Sequence, residues 1–332
     1  METLFRAVRV FDGSRFLDGP RDVLVRGGVV HSVAAGLDAG ARVHKPEGGM
    51  LLPGFVDAHV HLSFADPAVV AAGGVTTVLD LGAPLAYVRR DQSPLTFRFA
   101  GPLITSPGGY PTRSWGSRGY GLEVRGPQEA RDAVTLLADM GATVVKVAIE
   151  PAEGPVPDTS TLSAAVSQAH SIGLRVAAHA LDASSVRKAL DAGADLLAHM
   201  PVDELPDDVI SELARRGTTI ISTVRAFGAA PETMANLRRL VEAGVPVVYG
   251  TDLGNGPIRP GIDVLELQLL AEALGGMEAA LASATSGAGA LAGSGGTLAP
   301  GERADLVWVP KLDRMQDLAS SKKVWIGGRL VA

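Results

Sequence analysis

LRVAAHALDASSVRKALDAGADLLAHM, residues 174–200, is the stretch whose reading decides the fold. Two short apolar runs, Leu174–Ala180 and Ala194–Met200, flank a helical segment that begins at Asp182 and stops at Gly193. Helices commonly end on a glycine that takes the left-handed conformation. Strand, helix and strand in this order build parallel pairing, because a parallel neighbour needs a crossover connection. Each apolar run carries one histidine near its C-terminal end, His179 and His199.

Working outward, the same alternation extends over most of the chain. Upstream lie LLPGFVDAHVH ending at His61, GVTTVLDLG (Gly74–Gly82), FRFAGPLIT (Phe97–Thr105) and ATVVKVAIE (Ala142–Glu150). Downstream lie TTIISTV (Thr218–Val224) and VPVVYGTDLG (Val245–Gly254). TLSAAVSQAHSIG and DDVISELARRG supply further helices with glycine stops. Eight strand-like runs joined by helices predict a (β/α)8 TIM-type barrel. A doubly wound sheet is the alternative, but it normally has fewer strands and often a glycine-rich phosphate loop, which is missing after the first run.

The ends read differently. Asp22–Val33 is a pair of short strands around Gly27-Gly28, and Ala304–Pro310 and Lys322–Ala332 repeat that pattern with a turn at Gly327-Gly328. The expected organisation is a small β-sandwich formed by both termini, residues 1–52 and 297–332, around a barrel at residues 53–296. Among 332 residues, 46% are hydrophobic and 20% charged, which places the chain among globular proteins. A net charge of -6 without Lys or Arg runs gives no footprint for nucleic acid or an anionic membrane. No apolar stretch approaches the roughly 20 residues that span a bilayer, and the charged N-terminus does not resemble a signal peptide, so a cytoplasmic location is the default expectation. With no cysteine, any metal must be held by His, carboxylate or modified Lys.

Active sites of TIM barrels lie at the C-terminal ends of the strands. His59 and His61 end the first run, and strand alternation points both imidazoles to one side, where they can share a cation. His179 and His199 end later runs; either alone reads equally as a core histidine satisfied by backbone, but two at equivalent positions point to the mouth. The remaining histidines, His31, His44 and His170, fall in ordinary surface or packing positions. Asp252 ends the last run beside glycines, as a turn residue or, in a histidine-lined mouth, as ligand and base. Lys146 lies inside the apolar VVKVAI, where an unpartnered ammonium is costly. Either its head reaches solvent at the strand end, or it is neutral and open to carbamylation by carbon dioxide, giving a carboxylate able to bridge two metals.

FVDAHVH, the strand-four Lys146, two strand-end histidines and GTDLG together resemble the amidohydrolase superfamily, over almost the whole chain. PGFVDAHVH and the closing GTLAPGERADLVWV are similar to that family's usual sequences. Ala169–Ala180 and Leu190–His199 resemble its imidazolonepropionase-like branch, which includes metal-dependent, prolidase-like dipeptidases. The resemblance implies a hydrolase with a binuclear centre. His59, His61 and Asp252 would hold one ion, His179 and His199 the second, and carbamylated Lys146 would bridge them. Zn²⁺ is the first expectation, with Co²⁺, Mn²⁺ or Fe²⁺ equally suited to the donors. It further implies a metal-bridging hydroxide that attacks an amide or peptide-like C–N bond while Asp252 shuttles the proton.

One loop departs from the related dipeptidases. TSPGGYPTRSWG (Thr105–Gly116) puts Tyr110 where a histidine often stands, either to steady an oxyanion or simply to pack the turn. Arg113 and Arg118 in this loop, and Arg225 after the seventh run, could bind a substrate carboxylate or be surface arginines. The expected partner is a small-molecule substrate, with a homo-oligomer open. Lactonase, phosphotriesterase or deaminase chemistry on the same centre is the alternative, and a non-catalytic relative the remote one.

Overall fold

The computed structural model describes residues 2–37, 40, 42–43 and 47–332, so His44 lies outside the described residues. In chain order the strands are β1 (Glu2–Val10), β2 (Arg21–Arg26), β3 (Val29–Ala34), β4 (Arg42–Val43), β5 (Met50–Pro53), β6 (Phe55–Val60), β7 (Val75–Asp80), β8 (Thr96–Phe99) and β9 (Leu103–Thr105). They continue with β10 (Gly121–Glu123), β11 (Val144–Ala148), β12 (Arg175–His179), β13 (Leu196–Leu197), β14 (Thr219–Ile221), β15 (Val247–Val248), β16 (Leu306–Val309), β17 (Lys323–Ile326) and β18 (Arg329–Leu330).

Both chain ends share one sheet, ordered β18-β17-β16-β5-β1-β2-β3, with β4 parallel to β1. The hairpins turn at Gly27-Gly28 and Gly327-Gly328, glycines that all have positive φ. Phe5, Val23, Leu51, Leu306 and Trp325 form the separate core of this β domain.

The barrel is α/β, its parallel staves linked by helices. β6, β7 and β8 run side by side, and β9, β11, β12, β13, β14 and β15 continue around. A parallel bridge between Val60 and Leu253, with the His61 amide donating to the Leu253 carbonyl at 2.7 Å, brings the last strand back to the first. Asp57 reinforces this seam by accepting from the Thr251 amide at 3.0 Å and the Thr251 hydroxyl at 2.5 Å. The helices at Thr159–Ser171, Ala183–Ala192 and Asp207–Arg216 stop at Gly173, Gly193 and Gly217, all left-handed. The first two start on Asp158 and Asp182, whose carboxylates cap backbone amides.

The third apolar run, expected as one strand, is two. β8 pairs with β7 and β9 pairs with β11, separated by Ala100-Gly101-Pro102. Gly101 has φ +79° and Pro102 has no N–H, so the ladder cannot continue through them. The run at Ala194–Met200 likewise contributes only Leu196 and Leu197 to regular pairing. Among the described residues no helix is long and apolar enough to cross a membrane.

Candidate active site

The inside of the barrel is closed below by an apolar plug that includes Val56, Ala58, Val144, Ala177, Ile221 and Val248. Val144 and Ala177 precede Lys146 and His179 by two residues, so strand alternation aims those side chains from the plug toward the mouth. Val248 stands in the same relation to Gly250 and then Asp252. On β6 the pairing with β7 slips between Asp57 and Val60: two residues intervene there against one opposite, between Val78 and Asp80. This bulge hands the inward face from Val56 and Ala58 to His59 and His61.

Each imidazole is oriented by its outer nitrogen. His59 Nδ1 donates to the Ala198 carbonyl at 2.8 Å, and His61 Nδ1 donates to the Gly82 carbonyl at 2.7 Å. Asp80 fixes that loop by accepting from the amides of Leu62 and Gly82 at 2.8 and 2.9 Å. Gly82 has to be glycine, since a Cβ there would stand 2.6 Å from His61 Cε1. Both Nε2 atoms are thereby turned inward, each 3.3 Å from Asp252 Oδ1.

Asp252 holds φ +57°, a left-handed conformation that Asp tolerates better than most residues. Its amide donates to the His59 carbonyl at 2.8 Å, and its Oδ2 accepts from Asn255 Nδ2 at 3.0 Å. Oδ1 is buried without a hydrogen-bond partner. Burial opposes its ionisation, but the surrounding imidazoles outweigh burial and hold Asp252 well below the usual carboxylate range. Burial, with Lys146 adding to it, pushes His59 well below the ordinary imidazole value. His59 Nε2, which also accepts from Lys146 Nζ, and His61 Nε2 therefore face an unpartnered carboxylate oxygen, an arrangement of acceptors that a cation reconciles. The ligand atoms of His59, His61 and Asp252 all lie within 4.8 Å of one another.

The other residues expected from the sequence surround this trio. Lys146 is 1% exposed, with Nζ 3.1 Å from His59 Nε2, so its head does not reach solvent. Desolvation lowers it to about 8, against opposing pulls from Asp252 and Asp80. The His199 ring packs 4.6 Å from that of His59 and 4.8 Å from that of His179, with Nδ1 3.1 Å from Thr223 Oγ1. Burial lowers both His179 and His199. Tyr110 stacks on His179 at 4.5 Å, and its hydroxyl accepts from Trp115 Nε1 at 3.0 Å.

The arginines do not converge. Arg225, expected to face the mouth, is tied by its guanidinium to Asp263, while its amide donates to Glu266 at 2.8 Å. That pairing removes it as a free fork for a carboxylate. Arg113 is exposed with its guanidinium against Gly108, and Arg118 is exposed on the same loop. Of the peripheral histidines, His170 pairs with Asp195 at 2.9 Å and His31 lies 3.4 Å from Arg26.

Glu150 escaped the sequence reading. Its Oε2 accepts from His179 Nε2 at 3.2 Å, which leaves Nδ1 as the free nitrogen of His179. The signal was present: Glu150 is four residues beyond Lys146 on the same strand run, hence on the same face. Carboxylates that orient ligand histidines typically change metal affinity about 10- to 100-fold when altered. If His179 holds an ion, Glu150→Gln is expected to weaken that ion by this factor in a chelator competition, leaving one held at His59, His61 and Asp252 unchanged. Unaltered affinity at both would remove Glu150 from this role.

Residues 50–331 match the model of the amidohydrolase family. The chain is 28% identical over 251 residues to an uncharacterized protein of Mycobacterium tuberculosis, covering 63% of this chain and 65% of that protein. It is 29% identical over 206 residues to a dihydroorotase of Geobacter sulfurreducens, covering 56% of this chain and 44% of that one. The chain thus spans just under two thirds of the first relative's length. Among solved structures, a Xaa-Pro dipeptidase with bound methionine superposes with a TM-score of 0.84 at 21% identity, over 99% of both chains. A. niger ochratoxinase superposes with a TM-score of 0.82 at 18% identity, over 99% of this chain and 95% of that one. These structures share the fold, and the family model covers most of the barrel, all six expected ligand positions and the C-terminal strands: the chain belongs to the amidohydrolase family.

Proposed function

We propose that this protein is a metal-dependent hydrolase that cleaves an amide or peptide-like C–N bond. The observation that carries the reading is Asp252 Oδ1, buried and unpartnered, facing two Nε2 atoms whose tautomers are set by backbone carbonyls. His59, His61 and Asp252 would hold one divalent ion, and His179 and His199 a second. Lys146, buried and with its basicity lowered to about 8, is suited to carbamylation and to bridging the pair. Imidazole and carboxylate donors make Zn²⁺ the first choice, with Co²⁺, Mn²⁺ and Fe²⁺ as fits. Bound ions would supply Lewis acidity, making water nucleophilic at neutral pH and polarising the scissile carbonyl.

The chain's own groups do the rest. Asp252 Oδ2, steadied by Asn255, takes the proton of the attacking water and returns it to the leaving nitrogen. Tyr110 accepts a hydrogen bond from Trp115, so its own proton is free to donate to the carbonyl oxygen as negative charge develops there. Burial pushes the Tyr110 phenol well above its usual value, which keeps that proton in place.

Metal analysis and a substrate panel test the reading. Purified protein supplemented with Zn²⁺ should carry about two ions per chain, lose amide hydrolysis on chelation and regain it on reloading. Fewer than about 0.2 ions per chain after supplementation would sink the ligand assignment. Turnover of lactones or phosphotriesters with no dipeptide, N-acyl amino acid or cyclic amide cleaved would replace amide hydrolysis by the ester chemistry.

A further inference from the structure

The centre opens into a cavity of about 170 Å³ lined by His61, His199 and Asp252 together with the aromatics Phe64, Tyr110 and Trp115. Two of those aromatics are unusually uncovered for their size, Phe64 at 52% and Trp115 at 40% exposure. Their positions are nonetheless fixed. Phe64 is stacked on Tyr120 at 5.6 Å, and Trp115 sets its ring edge-on to His61 at 4.9 Å while its indole N–H is held by Tyr110. Phe64 and Trp115 meet at 62° with centroids 6.2 Å apart, a partly exposed, angled shelf beside His61.

Among the described residues no Lys or Arg lines this cavity. Arg225 is spent on Asp263 and Arg113 lies against Gly108. Among the lining side chains the fixed charge is the carboxylate of Asp252, and the ions it would help hold face the scissile carbonyl, so a substrate carboxylate out on the shelf would be desolvated against aromatic carbon without a cationic fork. An apolar ring there is instead favoured by area burial and by face and edge contacts. The volume is below the roughly 300 Å³ at which drug-sized pockets begin, which suits a substituent about one ring across.

We propose that Phe64, Tyr110 and Trp115 form the specificity shelf of this site and select neutral amides bearing an uncharged ring-sized group over amides of free amino acids. The inference rests on the amide-hydrolysis reading and sharpens it. The test uses the zinc-loaded full chain with N-acetylphenethylamine and N-acetyl-L-phenylalanine, which share a skeleton and differ by one carboxylate. The neutral compound is expected to have the higher kcat/KM by about tenfold or more. Phe64→Ala and Trp115→Ala should each raise its KM by about tenfold, with kcat within about threefold for Phe64→Ala, and Trp115→Phe should restore most of the loss in KM. Equal or better cleavage of the acid overturns the shelf while leaving amide hydrolysis standing. If neither amide is cleaved, calorimetric titration of the same two compounds still decides. Tighter binding of the neutral one, lost in Trp115→Ala, supports the shelf and places the fault with amide hydrolysis. Equal binding, no binding, or binding indifferent to Trp115→Ala overturns the shelf.

Discussion

Asp252→Asn should lower kcat for amide hydrolysis by about a thousandfold while leaving the folded state intact. The substitution keeps the shape of the side chain, the tolerance for φ +57° and a carbonyl oxygen for Asn255, and removes only the charge and the basicity. General-base catalysis contributes typically 10² to 10⁴, and the same carboxylate is also proposed as a ligand, so the loss falls near the middle or upper part of that range. Asp252→Ala should be at least as severe and should also empty part of the trio with His59 and His61. The measurements are steady-state rates, metal content and a urea unfolding midpoint on the same preparations. A variant within tenfold of the parent, with its metal retained, would show that another group moves the proton.

That six side chains meet in one mouth was legible because TIM geometry sends the C-terminal ends of all strands to one face. His59, His61, His179, His199, Lys146 and Asp252 each end or nearly end an apolar run, and the structure sets them around one point. What remained hidden depended on contacts across the fold. The bulge between Asp57 and Val60 leaves no turn residue in the sequence to mark it, yet it decides which residues of β6 face inward. Arg225 had the right address, just after β14, but Asp263 lies 38 residues downstream and no local pattern announces the pairing. The break in the third run could be read from Gly101-Pro102, since a proline cannot donate to a ladder. Phe64 and Trp115 are scattered single aromatics in sequence and become a surface only when the loops after β6 and β9 approach each other.

Lys146→Met should have opposite effects on the protein with and without metal. In the metal-loaded state the proposed bridge would be lost, so occupancy should fall from about two ions per chain toward one and hydrolysis should drop by about a hundredfold or more. In the metal-free state the same change should stabilise the fold. Lys146 is fully buried, and desolvation lowers it from the ordinary lysine value of 10.5 to about 8, so the folded protein disfavours the ammonium that the unfolded chain keeps. The sign follows from that direction: below pH 8 the lysine is protonated in both states, and the folded state bears the whole penalty, about 3 kcal/mol. Between pH 8 and 10.5 the folded protein has released the proton while the unfolded chain retains it, and the penalty fades as pH rises. Methionine fills similar volume without charge, so chelator-treated Lys146→Met should unfold at higher urea than the parent at pH 7, with the gap closing toward pH 10.5. A gap that is absent at pH 7 or grows with pH would mean that Lys146 is already paired or solvated in the folded protein, and its readiness for carbamylation would go with it.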